Sequence, residues 1–549
     1  MSPVNKVLDG NPDYFLSGLP VVSSPEAPTI KITQPDIYYG QLEHDYVFVD
    51  TAQQEFDFPS TEGSGVGGAQ DHYINYQGKG GIRIGDAPLA KWAFSLRLGD
   101  ALMLLQNGFK PETRILFRRD IRERVQTIAP FLQQDADPYL VINPDDGRLV
   151  WVVDCYTLSD RYPYSTPQEM PVNAVTFVAP NYIRNSVKAT VDAYDGTVNL
   201  YLADDKEPIA RTYASIFPGL LKPLNEMPAG LRAHLRYPED LFRLQRAVYA
   251  IYHVDDPRVF YLKEDAWAIP NEPNSQQDAA GTVGKMEPYY VIMRLPGLEQ
   301  GQNYSPPTEQ DTRVSRTRLQ GTGLTSTREE FLLMSPLSPI NRESQNILGW
   351  MCARCDPGHY GDLVLYRFPQ NVSVAGPSQI VQLINSDRLI SPQLSLLRSG
   401  GSTATLGNLL VIPVEHSLLY IAPLYVEATN SANKLPQLQK VVVAFGQRVV
   451  MEDTLDKALA DLFPGNAETT PPEGSAPSTP SPPMKPGETV PPDIRNLIEK
   501  AAAQYNAAQQ RLKAGDFAGY GAATKELERT LEDLRRAAGS SPHSSAQQP

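Results

Sequence analysis

Aspartate is dense in one stretch of the 549-residue chain. Ten aspartates fall between positions 135 and 205, interleaved with one tryptophan and seven tyrosines. They are Asp135, Asp137, Asp145, Asp146, Asp154, Asp160, Asp192, Asp195, Asp204 and Asp205. Carboxylate pairs beside aromatic rings suit glycoside cleavage, in which one acid donates a proton and a second, about 5 to 9 Å away, acts as base or nucleophile. On this interpretation Asp154, Asp160 and Asp192 are candidate catalytic residues.

The same segment could instead hold a cation, because Ca²⁺ prefers carboxylate and carbonyl oxygens. Asp192 and Asp195 are the candidate ligands. However, no full EF-hand spacing occurs, and Asp-Gly pairs such as Asp195-Gly196 are ordinary turn residues. A structural role in turns is therefore favoured, and the cation site and the catalytic pair stay open as alternatives.

A second group of residues could bind zinc. Cys352 and Cys355 are separated by two residues, and His359 follows four residues later. A structural zinc needs four ligands, and the sequence has no second pair of closely spaced cysteines. A redox pair would follow a strand, whereas this pair is predicted to end a helix over 342–352. Buried or incidental thiols are favoured, with zinc ligation by these three residues as the alternative.

The overall charge argues against nucleic acid as a partner. The chain has 49 basic and 63 acidic side chains and a net charge of −14, whereas phosphate neutralisation needs a surplus of cations. Motifs for nucleotides are incomplete: Gly63–Gly68 fits GxGxxG in letters but opens no predicted helix. The sequence predicts no nucleic-acid partner and no cofactor.

Strands and helices that would position these residues alternate over 1–463. Strand candidates, rich in β-branched and aromatic residues, are Tyr46–Asp50, Tyr139–Ile142, Leu149–Tyr156, Ser186–Asp192, Thr197–Ala203, Tyr289–Leu295, Leu363–Phe368, Leu409–Val414 and Lys440–Phe445. Helix candidates are Leu89–Leu105, Glu112–Phe131, Pro238–His253, Arg342–Cys352 and Glu452–Phe463. Asp-Gly turns at Asp146 and Asp195 indicate hairpins. The predicted fold class is α+β: a strand-rich body, which could comprise two subdomains, with antiparallel hairpins and interspersed helices.

The end of the chain changes character. Residues 464–492 contain ten prolines and almost no apolar side chain, so they predict a disordered, semi-rigid linker. Residues 493–538 show two apolar stripes at helical spacing on either side of Gly515-Asp516, which predicts a helical hairpin. The polar residues 539–549 are expected to form a disordered tail.

Nine runs within residues 9–463 carry a resemblance to a known family. They are Ile32–Gly40, Arg118–Arg124, Pro130–Leu132, Asp135–Tyr139, Asn181–Lys188, Asp192–Gly196, His234–Phe242, Gly376–Gln379 and Pro413–Tyr425. In this order they resemble uncharacterised protein family 0182 (UPF0182). The linker and helical hairpin at the end are also similar to that family.

The resemblance implies a location rather than a chemistry. Family members are bacterial multi-pass membrane proteins, and this chain resembles their long, soluble C-terminal part. It would then be either a fragment that starts at an internal Met, which is favoured, or a member that has lost its membrane region. The resemblance places it at the cell membrane, on the extracytoplasmic side. The partners expected on this basis are its own or a neighbouring membrane region and an envelope glycan or protein ligand.

Two functions follow from these patterns. No complete set of nucleophile, base and orienting residue can be assembled from the sequence, and tyrosine-rich strands suit recognition surfaces. The sequence therefore predicts a non-enzymatic envelope module that binds or scaffolds. The alternative is a carbohydrate-active hydrolase that uses a pair of aspartates.

The proline-rich linker predicts where a protease will cut first. Brief treatment should cleave between Pro464 and Pro492, because an extended segment that buries little surface fits a protease cleft. Gel electrophoresis and mass spectrometry should then detect a body of nearly full size. Early cuts spread through residues 1–463 would contradict the modular organisation.

Overall fold

The computed structural model describes residues 4–8, 11–18, 21–24, 30–58, 71–171, 177–273, 284–295, 329–340, 346–368, 373–398, 402–414, 417–428 and 436–463, with single residues at 500, 504, 529 and 530. The chain divides into two compact units, Met1–Ala467 and Glu468–Pro549. The predicted linker, nearly all of the predicted helical hairpin, and the tail lie outside the described residues, so those domain boundaries stay predictions.

The first unit contains all of the numbered strands and helices. The strands are β1 (Val4–Leu8), β2 (Asn11–Tyr14), β3 (Leu16–Ser17), β4 (Val22–Ser23), β5 (Val47–Val49), β6 (Glu55–Phe58), β7 (His72–Ile74), β8 (Ile82–Arg83), β9 (Arg114–Leu116), β10 (Gln133–Gln134), β11 (Tyr139–Ile142), β12 (Leu149–Ser159), β13 (Met170–Pro171), β14 (Phe177–Val178), β15 (Tyr182–Asp192), β16 (Val198–Leu202), β17 (Leu221–Pro223), β18 (Trp267–Ala268), β19 (Tyr289–Met293), β20 (Glu330–Pro339), β21 (Gly349–Arg354), β22 (Leu363–Arg367), β23 (Ser402–Leu406), β24 (Leu410–Val414), β25 (Ser417–Ala428), β26 (Gln437–Phe445) and β27 (Arg448–Glu452). The α-helices are α1 (Pro88–Leu98), α2 (Leu102–Leu105), α3 (Ile121–Ile128), α4 (Pro208–Ile216), α5 (Ala229–Ala233), α6 (Glu239–Tyr252), α7 (Pro257–Leu262), α8 (Pro377–Ser386), α9 (Ile390–Leu397) and α10 (Leu455–Leu462). A 3₁₀ turn spans Leu224–Glu226.

Three larger sheets build the body, and their pairing is antiparallel except between β16 and β17. The first sheet has the order β10-β12-β15-β16-β17, with β11 also paired to β12. The second has the order β18-β20-β21-β22, with β19 on β20. The third has the order β23-β25-β26-β27, with β24 on β25. A smaller sheet, β5-β9-β8, supports α1 and α2.

The two central strands of the second sheet, β20 and β21, are buried on both faces, which explains their nearly continuous apolar sequences. Alternate residues of a strand point to opposite faces. Met334 of β20 and Cys352 of β21 therefore pack in one core with the third sheet, α8 and α9. Their neighbours Leu333 and Met351 pack in another core with α6 and Tyr156 of the first sheet.

The predicted α+β class is confirmed, and each of the nine predicted strands overlaps an observed strand. Both predicted hairpins also form. Ile142 pairs with Leu149 across the turn at Gly147, and Val191 pairs with Val198 across the turn at Gly196. Both glycines have positive φ, at 74° and 67°, a conformation that side chains with a Cβ rarely adopt.

The helix predicted over Arg342–Cys352 is wrong in its described part, because residues 346–348 are not helical and β21 begins at Gly349; residues 342–345 lie outside the described residues. An apolar run that is buried on both faces shows neither the two-residue period of a strand nor the 3.6-residue period of a helix. Its pattern therefore could not distinguish a strand from a helix. The helix predicted over Glu112–Phe131 is shorter, since β9 precedes it and Asp120 caps α3. Gly99 interrupts the helix predicted over Leu89–Leu105 and separates α1 from α2. The helices predicted at the two remaining positions are confirmed as α6 and α10.

Helix α6 lies between the first and second sheets. Its side chains Leu241 and Phe242 pack with Tyr156 of the first sheet and Leu333 of the second. The buried Arg246 donates hydrogen bonds to Ser335 Oγ of β20 at 2.6 Å and to the Met286 carbonyl at 3.0 Å. The position of α6 therefore decides how the two sheets meet.

No helix in the described part of the chain is both long enough and apolar enough to cross a bilayer.

Candidate functional site

A buried ion pair lies where the two longest strands of the first sheet run side by side. Asp154 of β12 and Lys188 of β15 are direct cross-strand partners. Both side chains are inaccessible, with 3% and 1% of their surface exposed, and the Lys188 ammonium donates to Asp154 Oδ1. The Asn185 amide donates a second hydrogen bond to the same oxygen at 2.8 Å. A charged pair can occupy this core because each charge meets its counter-charge and further hydrogen bonds.

Lys188 also connects the first sheet to the turn that leads from β21 into β22. Its ammonium lies within hydrogen-bond reach of the Tyr360 hydroxyl and 3.4 Å from the Arg236 carbonyl oxygen. The Tyr360 hydroxyl donates to the same carbonyl at 2.9 Å. Burial alone would lower the pKa of Lys188, but the Asp154 carboxylate beside it holds that pKa above its ordinary value. The lysine therefore keeps its charge in the core.

The N-terminus of α6 is capped from another segment. Pro238 at the N-cap position has no side-chain oxygen to offer. Instead the buried Asp135 carboxylate accepts from the Asp240 amide at 3.1 Å, while Asp240 accepts from the Ala136 amide at 2.9 Å. The Tyr156 hydroxyl donates to Asp135 and accepts from the Leu241 amide at 3.3 Å. Residues 135–136 and the first turn of α6, which are 104 to 105 residues apart in sequence, thus provide acceptors for each other's otherwise unpaired backbone amides.

The rim of this cluster carries a half-buried glutamate. Arg243 on the next turn of α6 contacts Glu239 at 2.8 Å, Asp240 at 2.7 Å and Glu287 at 2.7 Å. Burial raises the pKa of Glu239 to about 7; Arg243 opposes this rise, and the carboxylates of Asp137 and Asp135 add to it. Only 16% of the Glu239 side chain is exposed.

We call the connected set the carboxylate network; its members are Asp135, Asp154, Lys188, Glu239, Asp240 and Arg243.

The structure separates the three candidate catalytic aspartates. Asp192 pairs with Val150, four residues along the strands from the Asp154–Lys188 pair, which is about 13 Å. Asp160 follows the end of β12, about 20 Å along the chain from Asp154, with 79% of its side chain exposed. These spacings exceed the roughly 5 to 9.5 Å between the paired acids of glycosidases. The three residues do not form a pair with one another, and a catalytic role for any of them stays a prediction.

Asp192 and Asp195 do come together, around an arginine. Arg148 lies 3.0 Å from Asp192 and 2.9 Å from Asp195, so a guanidinium occupies the space that a cation would need. Asp192 also accepts from the amides of Tyr194 and Asp195, at 3.0 and 2.7 Å, as turn aspartates do. Burial alone would raise the pKa of Asp195, but hydrogen bonds from Arg148, the Lys79 amide and Tyr76 hold it below its usual value.

The cysteines of the candidate zinc site point to different cores. Cys352 is on β21, and Cys355 lies just past the end of that strand. An odd offset in extended chain sends side chains to opposite sides. Accordingly, Cys352 packs between the second and third sheets, and Cys355 packs beside α6. Burial raises the pKa of Cys355 to about 11. His359 lies 3.5 Å from Asp362. No three His, Cys, Asp or Glu side chains among the described residues converge as metal ligands.

An aromatic surface lies beyond the far ends of β12 and β15. In the loop after β12, the ring of Tyr162 stacks on Tyr182 with centroids 5.5 Å apart and planes 16° apart. Asn181 holds this loop by accepting from the Tyr162 amide at 2.9 Å and donating to the Tyr162 carbonyl at 2.7 Å. Tyr164 is fully exposed and has a positive φ of 58°, which is uncommon for a residue other than glycine.

The surface continues onto the end of α6. The hydroxyls of Thr166 and Tyr252 are 2.9 Å apart, and the ring of Tyr252 lies 5.3 Å from that of Phe260 in α7. Below it, the Tyr182 hydroxyl donates to Glu207 at 2.9 Å. We call this set the tyrosine surface; its members are Tyr162, Tyr164, Tyr182, Tyr252 and Phe260.

The fold and site define an α+β protein built around a buried carboxylate network, and comparison with known proteins places its sequence in a family. The model of the uncharacterised protein family UPF0182 matches residues 1–397. The chain belongs to this family. A UPF0182 protein of Desulforamulus reducens is 41% identical over 540 residues, which are 97% of this chain and 52% of the relative. One of Pelotomaculum thermopropionicum is 39% identical over 541 residues, 98% of this chain and 52% of the relative. The chain thus spans about half the length of these relatives, and no solved structure matches it significantly.

Sequence reasoning had not singled out most members of the carboxylate network. A signal was nevertheless present, because three of the runs that resemble the family meet here. Asp135 lies in the run 135–139, Lys188 in the run 181–188, and Glu239 with Asp240 in the run 234–242. Although these three runs are far apart in sequence, their charged residues could have been proposed together as one site.

We predict that Lys188→Met destabilises the protein by about 3 to 5 kcal/mol, because Asp154 would stay buried without its counter-charge. The double variant Lys188→Met/Asp154→Leu should recover most of that loss, since apolar side chains can replace a buried ion pair. Urea unfolding measures both. Lys440→Met, which removes the lysine of the exposed Lys440–Asp453 pair, is the control and should cost less than about 1 kcal/mol. Equal losses for the two lysines would contradict the assignment.

The raised pKa of Glu239 predicts a pH dependence of stability. Its pKa rises from 4.5 to about 7 on folding. The stabilisation from this shift is fully present below pH 4.5 and is lost as the pH rises through 7, up to about 3 kcal/mol in all. Glu239→Gln cannot ionise, so its free energy of unfolding should rise relative to wild type between pH 5 and 8. Urea unfolding across this range tests the prediction, with the exposed Glu264→Gln as control. Parallel pH profiles for wild type and Glu239→Gln would contradict it.

Proposed function

We propose that the chain is the extracytoplasmic region of a membrane-associated envelope protein, and that it binds or scaffolds rather than catalyses. Membership of UPF0182 supports the family part of this proposal, and about half the length of the relatives lies outside this chain. On the resemblance described above, that other half would supply the membrane region. The partners would be the membrane region itself and an envelope glycan or protein ligand.

The tyrosine surface is the observation that carries a binding function. Tyr164 presents its whole ring to solvent, and Tyr162 exposes 55% of its surface while its other face rests on Tyr182. Rings held in this way offer contact area at little entropic cost on binding, because few torsions must be fixed. Their apolar faces suit the C–H faces of sugars or the aromatic and aliphatic side chains of a protein.

Charged groups at the edge of this surface would provide orientation. Asp160 and Arg161 precede Tyr162 and expose 79% and 92% of their side chains, and they are 3.8 Å apart. A carboxylate accepts hydrogen bonds from sugar hydroxyls, and a guanidinium donates them. In this proposal Asp160 contributes to binding rather than to bond cleavage.

The state of the buried acids argues against catalysis at the sequence-predicted positions. Asp154 is covered and bonded to Lys188 and Asn185, and Asp192 is bonded to Arg148 and turn amides. A general acid or base must reach the reacting atom at hydrogen-bond distance. Asp154 is covered, and the Oδ1 of Asp192 is held by three donors, which are Arg148 and the amides of Tyr194 and Asp195.

One observation favours the alternative, a carbohydrate-active hydrolase. Glu239 has a pKa of about 7 and partial exposure, which are the properties of a general acid at neutral pH. The exposed Asp137 is close enough to raise that pKa and would be the second carboxylate. Such a pair differs from the aspartates that the sequence indicated.

The binding proposal is tested with a panel of cell-wall and capsular glycans. The purified chain should bind at least one glycan without releasing reducing ends. Tyr162→Ala/Tyr164→Ala should weaken that binding at least about tenfold, because these rings supply the contact area. The variant Tyr73→Ala/Tyr425→Ala, which removes tyrosines that are 48% and 37% exposed elsewhere, should bind like wild type.

Three outcomes of the same assay would overturn the proposal. Loss of binding equally in both double variants would remove the role of the tyrosine surface. Binding to no glycan and to no protein from a cell-envelope extract would remove the ligand. Reducing-end release that Glu239→Gln abolishes with the fold intact, judged by circular dichroism, would favour the hydrolase.

The location is tested separately with a topology reporter. A phosphatase that is active only outside the cytoplasm, fused after Pro549 of the full-length gene product, should be active in cells. A cytoplasm-specific reporter at the same position should be silent. The reverse pattern would place this region in the cytoplasm and contradict the location proposed here.

A further inference from the structure

The helical pair α1–α2 exposes a continuous set of large apolar side chains. Those of α1 follow helical spacing at positions i, i+3 and i+7, so they share one face. We call the set the apolar ridge: Leu89 is 87% exposed, Trp92 61%, Leu96 74%, Leu102 69% and Leu105 74%. Single exposed leucines are common on proteins, whereas a contiguous group of this kind marks an interaction site.

Helix α1 is apolar on both of its faces. Its inner face carries Phe94 and Leu98, which pack on the core formed by Ile84, Met103 and Ile115 above the small sheet β5-β9-β8. This inner contact is enough to hold the helix to the body. An apolar stripe of large side chains on a helix is normally covered by a neighbouring apolar surface. The outer face of α1 therefore requires a second apolar neighbour.

The charges near the ridge are unlike those of the rest of the chain. The whole protein carries −14, but residues 87–106 contain the cations Lys91 and Arg97 and a single acid, Asp100. Asp100 is engaged: it accepts from the Tyr46 hydroxyl and from the Leu102 amide at 3.0 Å. Arg97 is exposed and makes no ion pair with another described residue. The Lys91 ammonium donates to the carbonyls of Leu104 and Gln106 at 3.4 and 3.3 Å. With two cations and one acid, the segment carries a net charge of +1 beside its apolar face.

We propose that the apolar ridge inserts into the surface of a lipid bilayer with anionic headgroups. Leucine and tryptophan on one face with lysine and arginine at its border is the composition of helices that lie in the membrane interface, buried by about 5 to 10 Å. Tryptophan favours the headgroup level. Lys91 and Arg97 at its border complement anionic headgroups, whereas two ridges packed together would bring these like charges near each other, so the local charge favours lipid over a second copy. The inference rests on the proposed membrane association and names the surface that makes the contact.

Vesicle binding by the purified 549-residue chain tests this proposal. The vesicles contain phosphatidylcholine and phosphatidylglycerol at seven to three, and bound protein is measured by flotation. Wild type should float with the vesicles, and Leu89→Glu/Leu96→Glu should bind at least about tenfold more weakly, because charged side chains would have to enter the interface. Leu42→Glu/Leu389→Glu is the matched control, since these leucines are 86% and 78% exposed at other positions. It should bind like wild type.

A fluorescence measurement that needs no charge-introducing variant gives a second test. Trp92 is 61% exposed, whereas Trp151 is partly buried and Trp267 and Trp350 are 3% and 2% exposed. Brominated lipids should therefore quench the Trp92 fluorescence on binding. A Trp92→Phe variant, which keeps an aromatic ring at this position, should lose that quenching and still bind.

Each other outcome would overturn the proposal. Wild type that does not float, or that floats equally with Leu89→Glu/Leu96→Glu, excludes the ridge as the lipid contact. A concentration-dependent dimer that this variant abolishes, seen by analytical ultracentrifugation without vesicle binding, assigns the ridge to a second copy. Binding to pure phosphatidylcholine as tight as to the mixture removes the role of the cations. None of these results depends on the topology reporter, so the two proposals can fail separately.

Discussion

The ion pair between Asp154 and Lys188 is the constraint on which the body of this protein depends. It lies in the middle of the longest strand pairing, and the groups that satisfy it come from β15 itself and from two other parts of the fold. Lys188 reaches the turn before β22 through Tyr360, and the segment before α6 through the Arg236 carbonyl. Asp135, whose amide donates to the Asp154 carbonyl at 2.9 Å, caps α6. Because a buried charge without its partner is costly, the strands, the turn and the helix can only be assembled together.

The ion pair and the helix cap explain why few carboxylates are accessible in the centre of the body, although the chain is rich in acidic residues. The network uses its carboxylates to cap a helix and to neutralise Lys188 and Arg243, while the apolar faces of the second sheet close the space around α6. The surfaces available to partners are therefore peripheral. The tyrosine surface lies at the ends of β12 and β15, and the apolar ridge lies on α1 and α2 above a separate small sheet. The binding function and the lipid contact proposed above would both use these edges.

The sequence predicted the parts of this structure that have a local cause. Nine strands, the two Asp-Gly hairpins and α6 with its acidic first turn were found from composition and spacing. β20 and β21 were missed because both of their faces are buried, so no alternation marks them. The site was harder to predict than the fold. Asp154 was singled out, but its partner Lys188 is 34 residues away and meets it only through the strand register. Asp135 and Asp240 are 105 residues apart and meet only because α6 docks on the first sheet. Such contacts leave no local pattern.

Native-state hydrogen exchange on the wild-type protein tests the central claim most directly. The amides of Asp135, Ala136 and Asp240 donate to network oxygens, at 2.9, 2.9 and 3.1 Å. If the network holds the first sheet and α6 together, these amides exchange only through global unfolding. Their exchange free energies then equal the free energy of unfolding of the body and fall with denaturant at the same rate as those of β12 and β15. Exchange of the Ala136 and Asp240 amides through a low-energy local opening, while β12 and β15 stay protected, would contradict the account.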